Sequence, residues 1–169
     1  DLVFGAGSGL GMADGKYGTA AGSVTVNTHV TVNSSMNGTA GNAIHRNVYG
    51  GGSLATVGPP KITQTDYATK AQTLSTVIIN GTVGDATSYA AHYGGYVFAA
   101  SRGANTEEQS YLISGNQDQY STVINTKVEV SNAAAHVYGD VYGGGERGNV
   151  LKEVEVNVTD GTIDNDIYG

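Results

Sequence analysis

The chain has 169 residues and a formal net charge of −7; it is 39% hydrophobic, only 14% charged and free of cysteine. The acidic balance argues against nucleic acids and anionic membranes as partners, because both require clustered Lys and Arg, and the lack of cysteine excludes disulfides and Cys-based zinc sites. With 26 glycines, 2 prolines and many Val, Thr and Tyr residues, the composition favours β-strands in one domain spanning residues 1–169.

A short phrase recurs along the chain: a hydrophobic residue, an aromatic residue and a run of small residues. Its aromatic members are 44 to 49 residues apart, at Phe4, Tyr49, Phe98 and Tyr142. Repetition at a nearly fixed period is typical of solenoids, in which each repeat packs on the next one. We therefore expect one repetitive β domain.

Alternating strands are predicted between the phrases. The segments 27–33 and 125–131 match each other, as do 75–80 and 121–125, and 154–158 repeats the same alternation. Because successive side chains of a strand point to opposite faces, every second residue of these segments is expected to point inward. This inward set is Val30, Val32, Val77, Ile79, Val128, Val130, Val154 and Val156.

The pattern favours a parallel β-solenoid, in which glycines allow the corners and like residues of successive coils stack. Asparagines near the strand ends, such as Asn33 and Asn80, would then hydrogen-bond along the stack. An antiparallel β-sandwich is the alternative, since Asn80-Gly81 and Asp160-Gly161 suit tight hairpin turns. A coil of about 22–25 residues, a usual repeat length, would give about seven coils.

Two segments interrupt the repeat, at residues 59–73 and 103–120. The first contains both prolines and the second is polar, so both are interpreted as loop excursions from the scaffold. Binding residues are concentrated in such loops, and aromatic rings stack on sugars, so three tyrosines are candidate glycan contacts. They are Tyr67, Tyr111 and Tyr120.

The two ends of the chain, written one after the other, resemble an internal motif. Residues 168–169 followed by 1–7 align with residues 93–101 without a gap. The expectation is head-to-tail stacking of copies into a homopolymer, since a heterologous interface that does not close produces filaments; the alternative is a window of a longer repetitive chain. The predicted polymer interface is Leu2, Val3, Phe4, Ile167 and Tyr168.

Acidic residues near the C-terminus are the candidate metal ligands, and no other cofactor is expected. Asp160, Asp164 and Asp166, with Asp1 of a neighbouring copy, could supply the carboxylate oxygens that Ca²⁺ prefers. His92 and His136 each precede an anchoring Val by five residues, so the two imidazoles are expected to stack as neutral rings.

No catalytic constellation is evident, so an enzyme is not expected. A Gly-x-Ser-x-Gly motif with paired His and Asp is absent. A polysaccharide-degrading β-helix would place carboxylates beside Arg or Lys on one sheet face. Arg102, Glu146 and Arg147 follow the glycine runs, and their expected role is that of solvated corner charges.

The repeat resembles the long Gly-rich regions of bacterial surface proteins, which are adhesin-like β-solenoids. The resemblance is carried by Val48–Gly52, Val141–Gly145 and, in degenerate form, Val3–Gly7 and Val97–Ser101. It implies an extracellular or cell-surface location and a structural or adhesive role. The expected function is a subunit of an extracellular fibre or surface rod; the alternatives are a carbohydrate-binding adhesin module and, third, a polysaccharide-degrading β-helix.

Overall fold

The computed structural model describes residues 2–9, 22–33, 44–58, 72–105 and 121–169. Most of both predicted loop excursions lies outside these ranges. Asp1, and with it the fourth predicted calcium ligand, is outside the described residues, as are the candidate glycan contacts Tyr67, Tyr111 and Tyr120.

The chain forms a parallel β-solenoid, which confirms the predicted all-β fold. The described strands are β1 (Val3–Phe4), β2 (Thr28–Val32), β3 (Val48–Tyr49), β4 (Leu74–Ile79), β5 (Thr82–Val83), β6 (Val97–Phe98), β7 (Thr122–Val123), β8 (Asn125–Val130), β9 (His136–Val137), β10 (Val141–Tyr142), β11 (Asn149–Val150), β12 (Val154–Val158), β13 (Thr162–Ile163) and β14 (Ile167–Tyr168). One short helix, α1 (Ala86–Ala90), interrupts them. Among the described residues no helix is both long and apolar enough to cross a membrane.

Every described strand pair is parallel, which rules out the antiparallel sandwich. The largest sheet has the order β1-β3-β6-β10-β14 and is called the anchor sheet below. A second sheet, β2-β4-β8-β12, is called the valine sheet, and shorter sheets β5-β9-β13 and β7-β11 complete the wall. Because strand order follows chain order, each coil adds one strand to each large sheet.

The predicted inward valines form the core of the valine sheet. Val30, Val77, Val128 and Val156 pair in one register, and the six predicted residues on β2, β4 and β8 are all buried. On β12, however, Val156 is half-buried and Val154 is 39% exposed, contrary to the prediction. The reason is that β12 is an edge strand, so the described residues cover one of its sides only.

The described strands form four coils and the first strand of a fifth, not seven coils. Coils begin at β1, β3, β6 and β10, and the matched residues Val3, Val48, Val97 and Val141 are in register with Ile167. Tyr168 therefore occupies the position of Tyr142, not that of Tyr93, which the alignment of the joined ends had predicted. The seven-coil prediction was wrong because it assumed about 22–25 residues for every coil, whereas the matched strands of the first three coils are 45, 49 and 44 residues apart and only the fourth interval, of 26 residues, is close to that length.

Asparagines bond between coils as predicted, but the histidines do not stack. Asn80 Nδ2 donates to Asn33 Oδ1 at 3.0 Å, and Leu74 N–H donates to Asn27 Oδ1 at 2.9 Å. His136 lies in β9 in register with Thr82, and its ring stacks on Tyr138 instead of His92. His92 falls in the turn after α1, so the shared spacing to Val did not reflect a shared position.

Candidate functional site

The aromatic residues of the anchor sheet form one continuous stack, called the aromatic ladder. Adjacent ring centroids are 4.7 to 5.1 Å apart and the rings are within 11° of parallel. The spacing equals that of neighbouring strands, so the in-register pairing of the anchor sheet imposes it. The ladder contains Phe4, Tyr49, Phe98, Tyr142 and Tyr168.

Polar side chains two residues before the ladder tyrosines hold the phenol groups. Tyr142 OH donates to Asp140 Oδ2 at 2.8 Å, Tyr168 OH donates to Asp166 Oδ2 at 3.1 Å, and Tyr49 OH accepts from Asn47 Nδ2 at 3.1 Å. The same side chains also connect coils: Asp140 Oδ1 accepts from Asp166 N–H at 3.0 Å. A two-residue spacing puts both side chains on one face of the strand.

Glu146 crosses the ladder from coil 4 to coil 2. Tyr49 OH donates a short hydrogen bond to Glu146 Oε2, although 97 residues separate the two. The ring between Tyr49 and Tyr142 belongs to Phe98, which has no hydroxyl to compete for this carboxylate. Because Phe98 of coil 3 does not bind the carboxylate, the hydrogen bond links coil 2 directly to coil 4.

An open cleft of about 660 Å³ runs along the outer side of the ladder. Its lining extends from Leu2 in coil 1 to Glu146 in coil 4, so it spans about three coil steps of roughly 4.8 Å each. Edges of the ladder rings form the floor. The flanking side chains include Arg46, His92, Tyr93, Tyr96, Arg102 and Asp140.

The turn after α1 places Tyr93 on the rim of the cleft. Asp85 caps α1 by accepting from Ser88 N–H at 2.8 Å, and His92, just past the helix, adopts φ 59°. This left-handed conformation is usual one residue past a helix end, where the chain must turn back. Arg46 Nε then donates to Tyr93 O at 3.2 Å, and the Tyr93 side chain is 49% exposed.

Positively and negatively charged side chains both line the cleft, and aromatic rings form its floor. Burial raises the pKa of Tyr49, and the hydrogen bond to Glu146 raises it further. Burial also raises the pKa of Tyr142, with Asp140 adding to the shift, and the pKa of Tyr96 is raised chiefly by burial. The tyrosines of the floor are thus neutral hydrogen-bonding groups at physiological pH.

The three described aspartates of the predicted calcium site each have a different partner. Asp160 Oδ1 accepts from Gly161 N–H at 2.8 Å, Asp164 Oδ2 lies 3.0 Å from His136 Nε2, and Asp166 binds Tyr168 OH. In the described part of the chain no group of three or more His, Cys, Asp or Glu side chains is arranged to hold a metal ion. With Asp1 not described, the calcium site stays a prediction; melting with and without excess chelator tests it.

The predicted polymer-interface residues lie at opposite ends of the anchor sheet. Val3 and Phe4 form its first strand, with Leu2 directly before it, and Ile167 and Tyr168 form its last. The exposed fractions are 36% for Leu2, 49% for Ile167 and 47% for Tyr168. These residues are therefore not brought together within one copy.

Sequence reasoning missed Arg46, Asn47, Tyr93 and Asp140, which the fold brings to the cleft. The recurring polar-x-Tyr pattern at Asn47, Asp140 and Asp166 was a usable signal, because it places a partner beside each phenol. Comparisons with protein-family models, with curated proteins and with solved structures found no match.

Proposed function

We propose that the chain is a structural subunit of an extracellular fibre or surface rod, in which copies associate head to tail through the anchor sheet. The observation that supports this is the backbone hydrogen bonding between successive strands of the anchor sheet. Val48 N–H donates to Tyr96 O at 3.0 Å and Gly50 N–H to Phe98 O at 2.9 Å; Val141 and Gly143 repeat the bonds to Asp166 and Tyr168. At these positions of the anchor sheet, the N–H group of one coil donates to the carbonyl group of the next coil.

The two edges of the sheet are complementary in this respect. By the same register, N–H groups of Ile167 and Gly169 point outward from the last strand, and carbonyl groups of Leu2 and Phe4 point outward from the first. Exposed strand edges of this kind are templates for pairing with another chain. A second copy would pair its β1 with β14 and stack its Phe4 ring on Tyr168.

Polar side chains add bonds of the opposite sense, in which the later coil donates and the earlier coil accepts. Asn47 Oδ1 accepts from Tyr96 N–H at 3.2 Å, and Asp140 Oδ1 accepts from Asp166 N–H at 3.0 Å. Asp166 occupies the equivalent position in the last strand, so its carboxylate would accept from Leu2 N–H of the next copy. The ring stack, the backbone bonds and this side-chain bond would continue across one junction.

The interface is expected to be weak. The exposed parts of Leu2, Ile167 and Tyr168 are worth about 1 kcal/mol each on burial, whereas association costs at least about 4 kcal/mol of rigid-body freedom. The anchor sheet has five strands and the valine sheet four, so a stacked copy leaves a strand-wide space beside β12. Assembly should therefore require high local concentration, such as that of a crowded cell surface.

Scattering and sedimentation over a dilution series up to millimolar concentration would test the proposal. Each added copy should lengthen the particle by five strand spacings, roughly 24 Å. Val3→Asp and Ile167→Lys should each prevent growth because a charge would be buried at the junction. Ile78→Lys, on the outer face of a strand in coil 2, is the matched control and should assemble like the parent chain.

A mixture of the two blocked variants provides the sharpest outcome. Val3→Asp retains an intact β14, and Ile167→Lys retains an intact β1, so a heterologous interface predicts dimers in the mixture and monomers of each variant alone. A parent chain that is monomeric at every concentration, or a mixture without dimers, would contradict the proposal. Glycine-rich, charge-poor composition and the resemblance to bacterial surface repeats support the extracellular location.

A further inference from the structure

We infer that the cleft along the aromatic ladder is a binding site for a linear, neutral glycan. This site is distinct from the loop tyrosines predicted from the sequence, and it does not depend on the head-to-tail interface. It is elongated along the solenoid axis, open to solvent and about 660 Å³ in volume. Such a shape fits several consecutive units of a linear polymer better than a compact small molecule.

The lining has the chemistry that sugars require. Tyr93 presents a half-exposed ring on the rim, and an aromatic ring offers an apolar face to a sugar and a hydroxyl for its polar edge. Arg46 and Arg102 present several N–H donors each, and Glu146 is a carboxylate acceptor. Alternating hydroxyl and C–H surfaces of a pyranose match this combination of polar and apolar groups.

Charge balance selects a neutral glycan over an acidic one. Two arginines and two carboxylates line the cleft, namely Arg46, Arg102, Asp140 and Glu146, so their formal charges cancel. The whole chain carries −7, and this field repels polyanions. A uronate-rich polymer would therefore meet no compensating excess of positive charge.

Backbone pairing argues against a peptide ligand. Extended peptides commonly bind by adding a strand to an open sheet edge. The floor of the cleft is formed by β3, β6 and β10, each of which has a neighbour on both sides. Their backbone groups are thus engaged in the ladder, and recognition has to come from side chains.

Titration calorimetry against linear hexasaccharides tests the inference directly. The neutral panel consists of β-1,4-linked glucose, xylose, mannose and N-acetylglucosamine and of β-1,3-linked glucose; hexagalacturonate is the acidic comparison. At least one neutral hexasaccharide should bind, and hexagalacturonate should bind more weakly. Tyr93→Ala should weaken that binding roughly two- to tenfold through loss of ring contact, and Arg46→Ala should weaken it by a similar factor.

Matched controls separate the cleft from general effects. Tyr138→Ala removes a tyrosine that does not line the cleft, and Lys127→Ala removes a cation from the outer face of β8, so both should bind like the parent chain. Melting curves of all variants confirm folding. Failure of every neutral hexasaccharide to bind at millimolar concentration overturns the inference, as do tighter binding of hexagalacturonate and equal affinities in Tyr93→Ala, Arg46→Ala and the controls.

Discussion

Gly51 and Gly144 occupy the same position of the repeat and should respond oppositely to alanine. Each is the second small residue after a ladder tyrosine. A Cβ on Gly51 would overlap Ser101 Oγ and lie 2.8 and 2.9 Å from the Ser101 backbone N and Cα, whereas a Cβ on Gly144 meets nothing within 4 Å. The difference arises because coil 3 covers Gly51.

Ser101 cannot simply rotate away from the new methyl group. Its hydroxyl accepts from Gly52 N–H at 3.2 Å and donates to Ala55 O at 2.7 Å, and the residue is fully buried. Overpacking of this kind costs about 1–3 kcal/mol, and loss of the two hydrogen bonds adds about 1 kcal/mol each. Against this, replacing glycine with alanine restricts the unfolded chain and stabilises by about 0.4–1 kcal/mol.

Gly51→Ala should therefore lower the free energy of unfolding by about 2–4 kcal/mol, and Gly144→Ala should leave it unchanged or raise it by up to about 1 kcal/mol. Urea titrations of both variants, compared at equal slopes of free energy against urea concentration, measure the difference. Equal midpoints for the two variants, or a lower midpoint for Gly144→Ala, would refute the reasoning that coil-to-coil contact demands the glycine.

Glu146→Ala should cost about 1–3 kcal/mol of stability because it leaves the buried Tyr49 hydroxyl without its acceptor, whereas Glu146→Gln keeps an acceptor and should cost less than half as much; equal losses in chemical denaturation would contradict the cross-coil link. Ionisation of Tyr49 and Tyr142 should be delayed in an ultraviolet titration, since their pKa values are raised in the fold; the resulting stabilisation is complete below the ordinary phenol pKa of about 10 and is lost as the pH rises towards the folded-state pKa. A single class of tyrosines titrating like free phenol would oppose this. The hydrogen bond with His45, together with those from Ser88, lowers the pKa of Asp85 to about 2. The stabilisation of about 1 kcal/mol that results is present above the unfolded pKa of about 3.9 and is lost as the pH falls through 2. The stability difference between the parent chain and Asp85→Asn should shrink over that interval, and a constant difference would show that the carboxylate is not coupled to folding.

Local patterns in the sequence were sufficient to predict the coil but not its ends. Alternating valines specify which face of a strand is buried, and Val77 and Val128 lie where that rule placed them. The position of Tyr168 was missed because Tyr93 and Tyr142 are each followed by glycine, so the dipeptide Tyr168-Gly169 matches both positions equally well. Backbone pairing with β10 distinguishes the two, and pairing is not a local property of sequence.

The cleft could not be predicted because its residues meet only through stacking of coils. Arg46 and Tyr93 are 47 residues apart, and Tyr49 and Glu146 are 97 apart. Their separation in sequence depends on the number of residues from one matched strand to the next, which is 45, 49, 44 and 26 for Val3 to Val48, Val97, Val141 and Ile167 in turn, and no local pattern sets these numbers. A periodic core therefore constrains the buried valines tightly and the outer side chains hardly at all.

Stacking and ligand binding draw on different parts of the same rings. The faces of Tyr49, Phe98 and Tyr142 are covered by neighbouring rings at 4.7 to 5.1 Å, so a ligand in the cleft can reach only ring edges and hydroxyl groups. Among the described residues, Phe4 and Tyr168 each have one ring neighbour in the ladder, so a further ring could stack on their other faces. A charge at Ile167 should therefore affect association without affecting the cleft, and loss of Tyr93 should do the reverse, because Ile167 does not line the cleft and Tyr93 is not one of the predicted interface residues.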